Sequence, residues 1–172
     1  GLAPLQARMA KSLVPTLAES FILTVVIIFG TFLLIFRNGT ARLMAMIPSL
    51  FAILVMFGVM RLFDVPLNVA TILIASTILG TSENDQIHFF YHFQEARQDG
   101  GSVEEALRHT FVVAGRAIFF ATLINAGGFL AFALAELPAM RQFGALSALA
   151  FVLSMIADFF ALPAALWILL RA

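Results

Sequence analysis

The sequence contains no cysteine, which removes disulfide frameworks, iron–sulfur ligation, thiolate zinc sites and cysteine nucleophiles together. Charge is also scarce: 12% of the 172 residues are Asp, Glu, Lys or Arg, about half the share of an ordinary soluble domain. The 10 basic and 10 acidic residues cancel, so no net field points to nucleic acid or to a strongly anionic surface. Low-complexity tracts and repeats of the soluble solenoid kind are absent too. Apolar residues take the space instead. They make up 62% of the chain, with 19 phenylalanines among them, more than a soluble core of this size absorbs. Uncharged apolar runs of 17 residues or more recur, and a run near twenty crosses a hydrocarbon slab of roughly 30 Å as a helix. The fold expected is all-α, a polytopic transmembrane bundle of about five spanning helices plus one short cytoplasmic amphipathic helix.

The runs and the polar breaks between them set the boundaries. Residues 1–19 mix Gln6, Arg8, Lys11 and two prolines with apolar residues, as a juxtamembrane segment leaving a preceding extramembrane domain would. The chain starts at Gly1, and its first eighteen residues are too polar for a signal peptide's apolar stretch; it is expected to be a piece of something longer. Spans are expected at about 20–36, 43–60, 67–93, 117–135 and 143–170. Arg37-Asn38-Gly39 and Arg61 to Asp64 make the first two turns, and Pro66 suits the first turn of the third helix. A polar loop over 94–116 carries Gly100-Gly101 as a hinge. Ser102-Val103-Glu104-Glu105 within it reads as a capping box opening a short amphipathic helix through His109. With the long loop and C-terminus on one side, six arginines (37, 42, 97, 108, 116 and 171) face four basic residues opposite. That asymmetry places the C-terminus in the cytoplasm and Gly1 outside.

An acid at bilayer depth costs roughly 2.5–3.5 kcal/mol even on the lenient insertion scale, so it needs a partner, a proton or a water-filled cavity. On the third span Thr81, Asn84, Asp85, His88 and His92 fall at i, i+3, i+4, i+7 and i+11, a single polar stripe. Glu83 points the other way, sharing a face with Ser76 and Gly80, a small-xxx-small pair. The fifth span carries Ser147, Ser154 and Asp158 on one face, and the fourth carries Thr122 and Asn125. Three stripes are expected to converge on one interior. A carboxyl out of water favours its protonated form, and a hydrogen-bonding or oppositely charged neighbour favours the ionised one, so a group under both influences is a proton switch. Asp85 is the leading candidate, with Asn84 orienting it and His88 passing protons toward the cytoplasmic mouth. Glu83 and Asp158 are either further carriers or neutral ties between helices. His92 suits a solvated helix end. His88 and His92 have metal-ligand spacing, but three histidines in the chain cannot build a di-iron site; no metal and no cofactor is expected.

The stretch Gly80-Thr81-Ser82-Glu83-Asn84-Asp85-Gln86-Ile87-His88-Phe89-Phe90 resembles the fourth or tenth transmembrane helix of the resistance, nodulation and division (RND) superfamily. The nearest branch is the MMPL and hydrophobe (hopanoid) exporters related to Patched. Phe36-Arg37 followed by Ile47-Pro48-Ser49-Leu50 agrees, as do Val65-Pro66-Leu67-Asn68-Val69-Ala70-Thr71, Glu104-Glu105-Ala106-Leu107-Arg108-His109-Thr110, Ala114-Gly115-Arg116-Ala117-Ile118 and Ala157-Asp158-Phe159-Phe160-Ala161-Leu162-Pro163. In that family each half has one helix, a large porter domain, then five helices, and this chain is similar to those last five. The resemblance implies proton-driven export of lipids or other hydrophobic molecules across a bacterial inner membrane, not enzymatic catalysis. Its partners would be membrane lipids, a hydrophobic substrate, protons, and the porter domains and other half of the parent chain, with no nucleic acid. Family members commonly show two adjacent aspartates where this chain has Asn84-Asp85. Either Asp85 works alone, Glu83 substitutes from the other face, or this half is the quiet one of a pair. A lipid sensor or scaffold like the sterol-sensing domains is the alternative, and the membrane part of a protein-translocation accessory is a third.

Overall fold

A computed structural model of the chain describes residues 2–35, 39–65 and 69–170. The expected turn at Arg37-Asn38, the helix start at Pro66 and the closing Arg171 lie outside the described residues. The rest is helical, with no strand among the described residues: α1 (Leu2–Ile35), α2 (Gly39–Leu62), α3 (Val69–Gln98), α4 (Val103–Thr110), α5 (Arg116–Ala131) and α6 (Pro138–Leu170). Five long helices and one short amphipathic one form the all-α bundle that the apolar runs demand. The stretches Val103–Leu134 and Pro138–Ile168 are long and apolar enough to cross a membrane, and Pro15–Thr31 and Ile47–Leu62 are shorter apolar helices. Ile22, Leu23, Val26 and Ile27 on α1 and Leu123 and Ile124 on α5 are all exposed, an outward apolar surface suited to lipid rather than water.

Helix ends follow from local chemistry. α2 closes with Val65 N–H bonded to the Met60 carbonyl at 2.8 Å and Asp64 N–H to that of Arg61 at 3.4 Å, with Asp64 at φ 51°. This is a Schellman ending with Asp in the left-handed seat. α3 ends the same way: Gly101 N–H bonds the Ala96 carbonyl at 3.3 Å and Gly100 takes φ 87°. A Cβ on Gly101 would stand 2.9 Å from the Ala96 oxygen, so the second glycine is needed as well. Ser102 then caps α4: its hydroxyl accepts from Glu105 N–H at 3.2 Å while the Glu105 carboxylate accepts from Ser102 N–H at 2.8 Å.

The polar loop expected over 94–116 is therefore reduced to 99–102. α3 runs on to Gln98, and from Val103 the chain is helical through Leu134 by way of a π turn at Phe111–Gly115 and a 3-10 turn at Phe132–Leu134. Nothing in that stretch breaks a helix. The π turn has a packing cause. Ala106, Thr110, Ala114, Ile118 and Thr122 are buried at a strict spacing of four, and four such steps overshoot four turns of 3.6 residues by roughly 1.6 residues. One wider turn recovers part of that drift and keeps the face on the bundle. It also sets the Phe111 ring edge-on between Phe89 and Phe159, at 5.6 and 5.9 Å. The juxtamembrane segment expected at 1–19 is likewise continuous with the first span, since α1 runs unbroken from Leu2 to Ile35 with Pro15 inside it.

α6 packs against α2, α3 and α5. It approaches α5 tightly at Gly144, where an added Cβ would lie 2.5 Å from the Phe129 carbonyl oxygen and 2.7 Å from Phe132 Cβ. Gly144→Ala is expected to destabilise the bundle by about 1–3 kcal/mol. Gly58→Ala, where an added Cβ meets nothing within 4 Å, is expected to be neutral or mildly stabilising. Unfolding of the full-length protein in a denaturing-detergent titration measures both, and equal effects would refute the close crossing.

The capping box makes a pH prediction. Hydrogen bonds from the Ser102 backbone N–H and hydroxyl hold the Glu105 carboxyl below its ordinary range. A depressed folded value means the contribution is complete above the unfolded value, about pH 4.3, and is lost as pH falls through the folded one. Hydrogen exchange along α4, corrected for intrinsic rate, should quicken below about pH 4 and be quick at every pH in Ser102→Ala. Exchange indifferent to both changes would remove the box from the account.

Candidate functional site

Two apolar clusters divide the interior. One joins Ala52, Met56 and Met60 of α2 to Ile74, Ala75 and Ile78 of α3 and to Leu146, Ala150 and Phe151 of α6. The other joins Phe89, Phe90 and Phe93 of α3 to Ala106, Leu107, Ala114 and Ile118 and to Leu162 and Leu166 of α6. Between them lies a polar layer of Ser49 from α2, Ser82, Glu83 and Gln86 from α3, and Ser154 and Asp158 from α6, all buried.

Gln86 is the centre of that layer. Its amide nitrogen lies 2.8 Å from Ser49 Oγ, 2.9 Å from Ser82 Oγ and 3.2 Å from Asp158 Oδ1. The Ser82 hydroxyl in turn accepts from Ser49 at 3.1 Å and Ser154 at 2.8 Å. Ser82 to Ser154 and Gln86 to Asp158 are both separated by 72 residues, so α3 and α6 run parallel and in register. A pair of polar residues four apart on one helix meets a pair four apart on the other.

The layer is short of hydrogen-bond donors. Both Glu83 carboxyl oxygens, Gln86 Oε1, Asp158 Oδ2 and Ser147 Oγ lack a hydrogen-bond partner among the described residues. The Ser49 hydroxyl faces Glu83 but falls short of bonding geometry, being engaged with Gln86 and Ser82. The ion pairs of the described side chains are Arg61–Asp64 and His92–Glu95, so no described cation pairs with either buried acid. Two buried acids without a counter-ion among the described residues and a fully buried amide are costly, and in that cost the layer stands apart from ordinary helix packing.

The sequence-derived candidates divide between two faces of α3. Glu83 and Asp158 lie in the layer. Asp85 is half-buried, while Asn84 and His88 are exposed. Asp85 and His88 act on each other electrostatically, and both Asp85 and Glu83 are close enough to act on Asp158. His92 bonds the exposed Glu95 at 3.1 Å. The α3 stripe that meets α6 is thus Ser82, Glu83 and Gln86 rather than the Thr81–Asn84–Asp85–His88 stripe, because the apolar residues beside the former, Ile78 and Leu79 before it and Phe89 and Phe90 after it, are the ones the bundle buries. Ser49, Ser82 and Gln86 escaped the sequence reading; the matched four-residue spacings Ser82–Gln86 and Ser154–Asp158 were the available signal. Among the described residues no group of three His, Cys, Asp or Glu side chains converges as a metal site. A surface groove of about 610 Å³ between α3 and α4, lined by Glu95, Asp99, Glu105 and His109, lies beyond the Phe89–Phe93 cluster from the layer.

Comparison with known proteins adds a relationship. The model of the MMPL family matches residues 1–172. A protein of Methanocaldococcus jannaschii, MJ1562, described only as a membrane protein, is 35% identical over 149 residues, 86% of this chain and 38% of that one. The chain therefore spans well under half the length of that relative. No solved structure matches.

If the 3.2 Å contact of Gln86 with Asp158 ties α3 to α6, the two side chains should be energetically coupled. Gln86→Leu and Asp158→Leu are each expected to cost about 1–3 kcal/mol, because each strands a buried polar partner. The double variant should cost clearly less than the sum. Strict additivity in unfolding of the full-length protein would show that the contact carries nothing.

Proposed function

The chain belongs to the MMPL family, and from that premise we propose that it forms the transmembrane part of one half of a proton-motive-force-driven exporter of lipids or other hydrophobic compounds. Family membership makes it a membrane protein of the RND exporter type, a family of transporters rather than enzymes. The finer reading extends this to an inner (cytoplasmic) membrane with a cytoplasmic C-terminus. Its partners are membrane lipids, a hydrophobic substrate, protons, and the porter domains and second half of a longer chain.

One observation supports proton coupling above the others: Glu83 and Asp158 are buried on two parallel, registered helices, and both Glu83 oxygens and Asp158 Oδ2 meet no donor and no cation among the described residues. A proton on such a group replaces an unpaired charge by a hydrogen-bond donor beside acceptors that have none. A proton crossing the membrane potential releases roughly 2.3 kcal/mol per 100 mV, of the size of the cost of one acid at bilayer depth, so loading and unloading a carboxyl is enough to bias helix packing. In this reading Asp158 and Glu83 carry the proton inside the bundle. Asp85, electrostatically coupled to Asp158, is the outer station, with Asn84 and His88 beside it on the exposed face.

A lipid-sensing bundle is the second reading, favoured by an apolar groove of about 280 Å³ on α5 lined by Ile124, Asn125, Gly128, Phe129 and Phe132. A single assay separates the two. Full-length protein in liposomes carrying a fluorescent phosphatidylethanolamine is given an imposed pH gradient, and movement of the probe between leaflets is followed. Export predicts gradient-dependent movement that falls at least tenfold in Asp158→Asn, Glu83→Gln and Asp85→Asn. Movement indifferent to the gradient and to all three substitutions, but altered by Gly128→Leu in the groove, would replace export by sensing.

A further inference from the structure

The hydrogen count around Gln86 does not close. Its amide nitrogen carries two hydrogens, yet three oxygens lie within 3.2 Å of it. Its carbonyl oxygen, an acceptor with two lone pairs, has no partner among the described residues. Turning the amide over by half a turn of its terminal torsion exchanges the two ends and puts the N–H₂ where the carbonyl oxygen has no partner among the described residues. That torsion is broad and nearly two-fold, and the oxygen and nitrogen ends are almost the same size. In the turned orientation the carbonyl oxygen faces Ser49, Ser82 and Asp158, and its two lone pairs take hydrogens from two of the three once Asp158 is protonated on Oδ1.

The two orientations therefore match the two protonation states of one carboxyl. With Asp158 ionised, the amide N–H₂ donates to Oδ1, as the 3.2 Å contact shows. With Asp158 protonated on Oδ1, the acid O–H donates and the amide carbonyl accepts. No proton leaves the amide in either case. We propose that Gln86 is the positioning residue of the polar layer, whose amide turns over with the protonation of Asp158 and transmits that state to α2 and α6.

The transmission follows from the shared hydroxyls. Ser49 and Ser82 accept from the amide in the first orientation, and in the second one of them donates to the lone pair that Asp158 leaves free, so the hydroxyl hydrogens that now run from Ser49 and Ser154 to Ser82 are redistributed. A proton loaded on α6 is then felt at Ser49 on α2 by rearrangement of hydrogens alone. A Leu or Lys at position 86 could not match both states, because Leu offers neither a donor nor an acceptor and Lys offers donors alone.

The ionisable surroundings are few. α3 presents Glu83 and Asp85 to Asp158, and α2 presents the Ser49 hydroxyl to Gln86. α1 and α5 bring only the exposed Glu19 and Arg116 among their described side chains, and α4 keeps Glu104, Glu105, Arg108 and His109 exposed. Glu83 is the competing influence, so its neutral variant belongs in the test.

The inference rests on the proton-coupled reading above, and infrared spectroscopy tests the two separately. Full-length protein in lipid nanodiscs, with glutamine labelled by 13C at the side-chain carbonyl, is titrated from pH 5 to 8. Gln86→Leu identifies the Gln86 amide band, and Asp158→Asn identifies the Asp158 carboxyl band. Turnover predicts that the amide band shifts with the same midpoint as the Asp158 band, persists in Glu83→Gln and is frozen in Asp158→Asn. An Asp158 band that titrates beside an unmoving amide band overturns the inference and leaves proton coupling intact. An amide band that still shifts in Asp158→Asn also overturns it. If the Asp158, Glu83 and Asp85 bands are all fixed throughout, the proton-coupled reading falls and the inference with it.

Discussion

A buried oxygen in a bilayer-like interior has to find a hydrogen, and the arrangement of this bundle follows from where the polar layer finds its few. Gln86, Ser49, Ser82, Ser154 and Asp158 bond only if α3 and α6 are parallel and held in the 72-residue register. A slip by one residue would rotate the inward face by 100° and strand the whole layer. The apolar clusters on either side enforce the register, because each uses α3 and α6 residues displaced from the layer by about two turns in the same direction. Parallel neighbours cannot be joined by a short turn, so the chain must return through an antiparallel rod. That rod is the helical run 103–134, and its features serve the return: the Gly100-Gly101 reversal, the capping box, the π turn that keeps a four-spaced face inward, and Gly144 where α6 turns in against it.

Much of this was legible in the sequence and some was not, for identifiable reasons. The helices were legible because charge-free runs near twenty residues have few alternatives in a chain so poor in charge. Gly100-Gly101 and Ser102 to Glu105 were legible because turn and cap chemistry is local. The extent of the 94–116 segment was not, since polarity there marks a solvated helix surface and not a break; Gln94, Arg97 and Gln98 are exposed on a helix that simply continues. Which face of α3 turns inward was not legible either. Asp85 with His88 is the more strongly charged stripe and Ser82 with Gln86 the quieter one, and periodicity alone ranks them by charge. Burial was decided by Ile78, Leu79, Phe89 and Phe90, whose weight appears only once α6 supplies the matching Leu146, Phe151 and Leu162.

Polar residues on both faces of one helix at one level carry a further consequence. A spanning helix with a single polar stripe can hide it against its neighbours, as α3 hides Ser82, Glu83 and Gln86. A second stripe has no such refuge within this bundle, and Asn84 and His88 remain exposed. The two stripes are nevertheless not independent, because Asp85 is half-buried and acts electrostatically on Asp158 of α6. In the proposed reading the loss of a titratable group at Asn84 therefore does not isolate Asp85. Its charge, like that of Glu83, still acts on Asp158 inside the bundle. In the proposed reading the three carboxyls exchange protons as one coupled site, and Gln86, bonded to Asp158 and to hydroxyls of two helices, is the group placed to convert that proton into a change of packing.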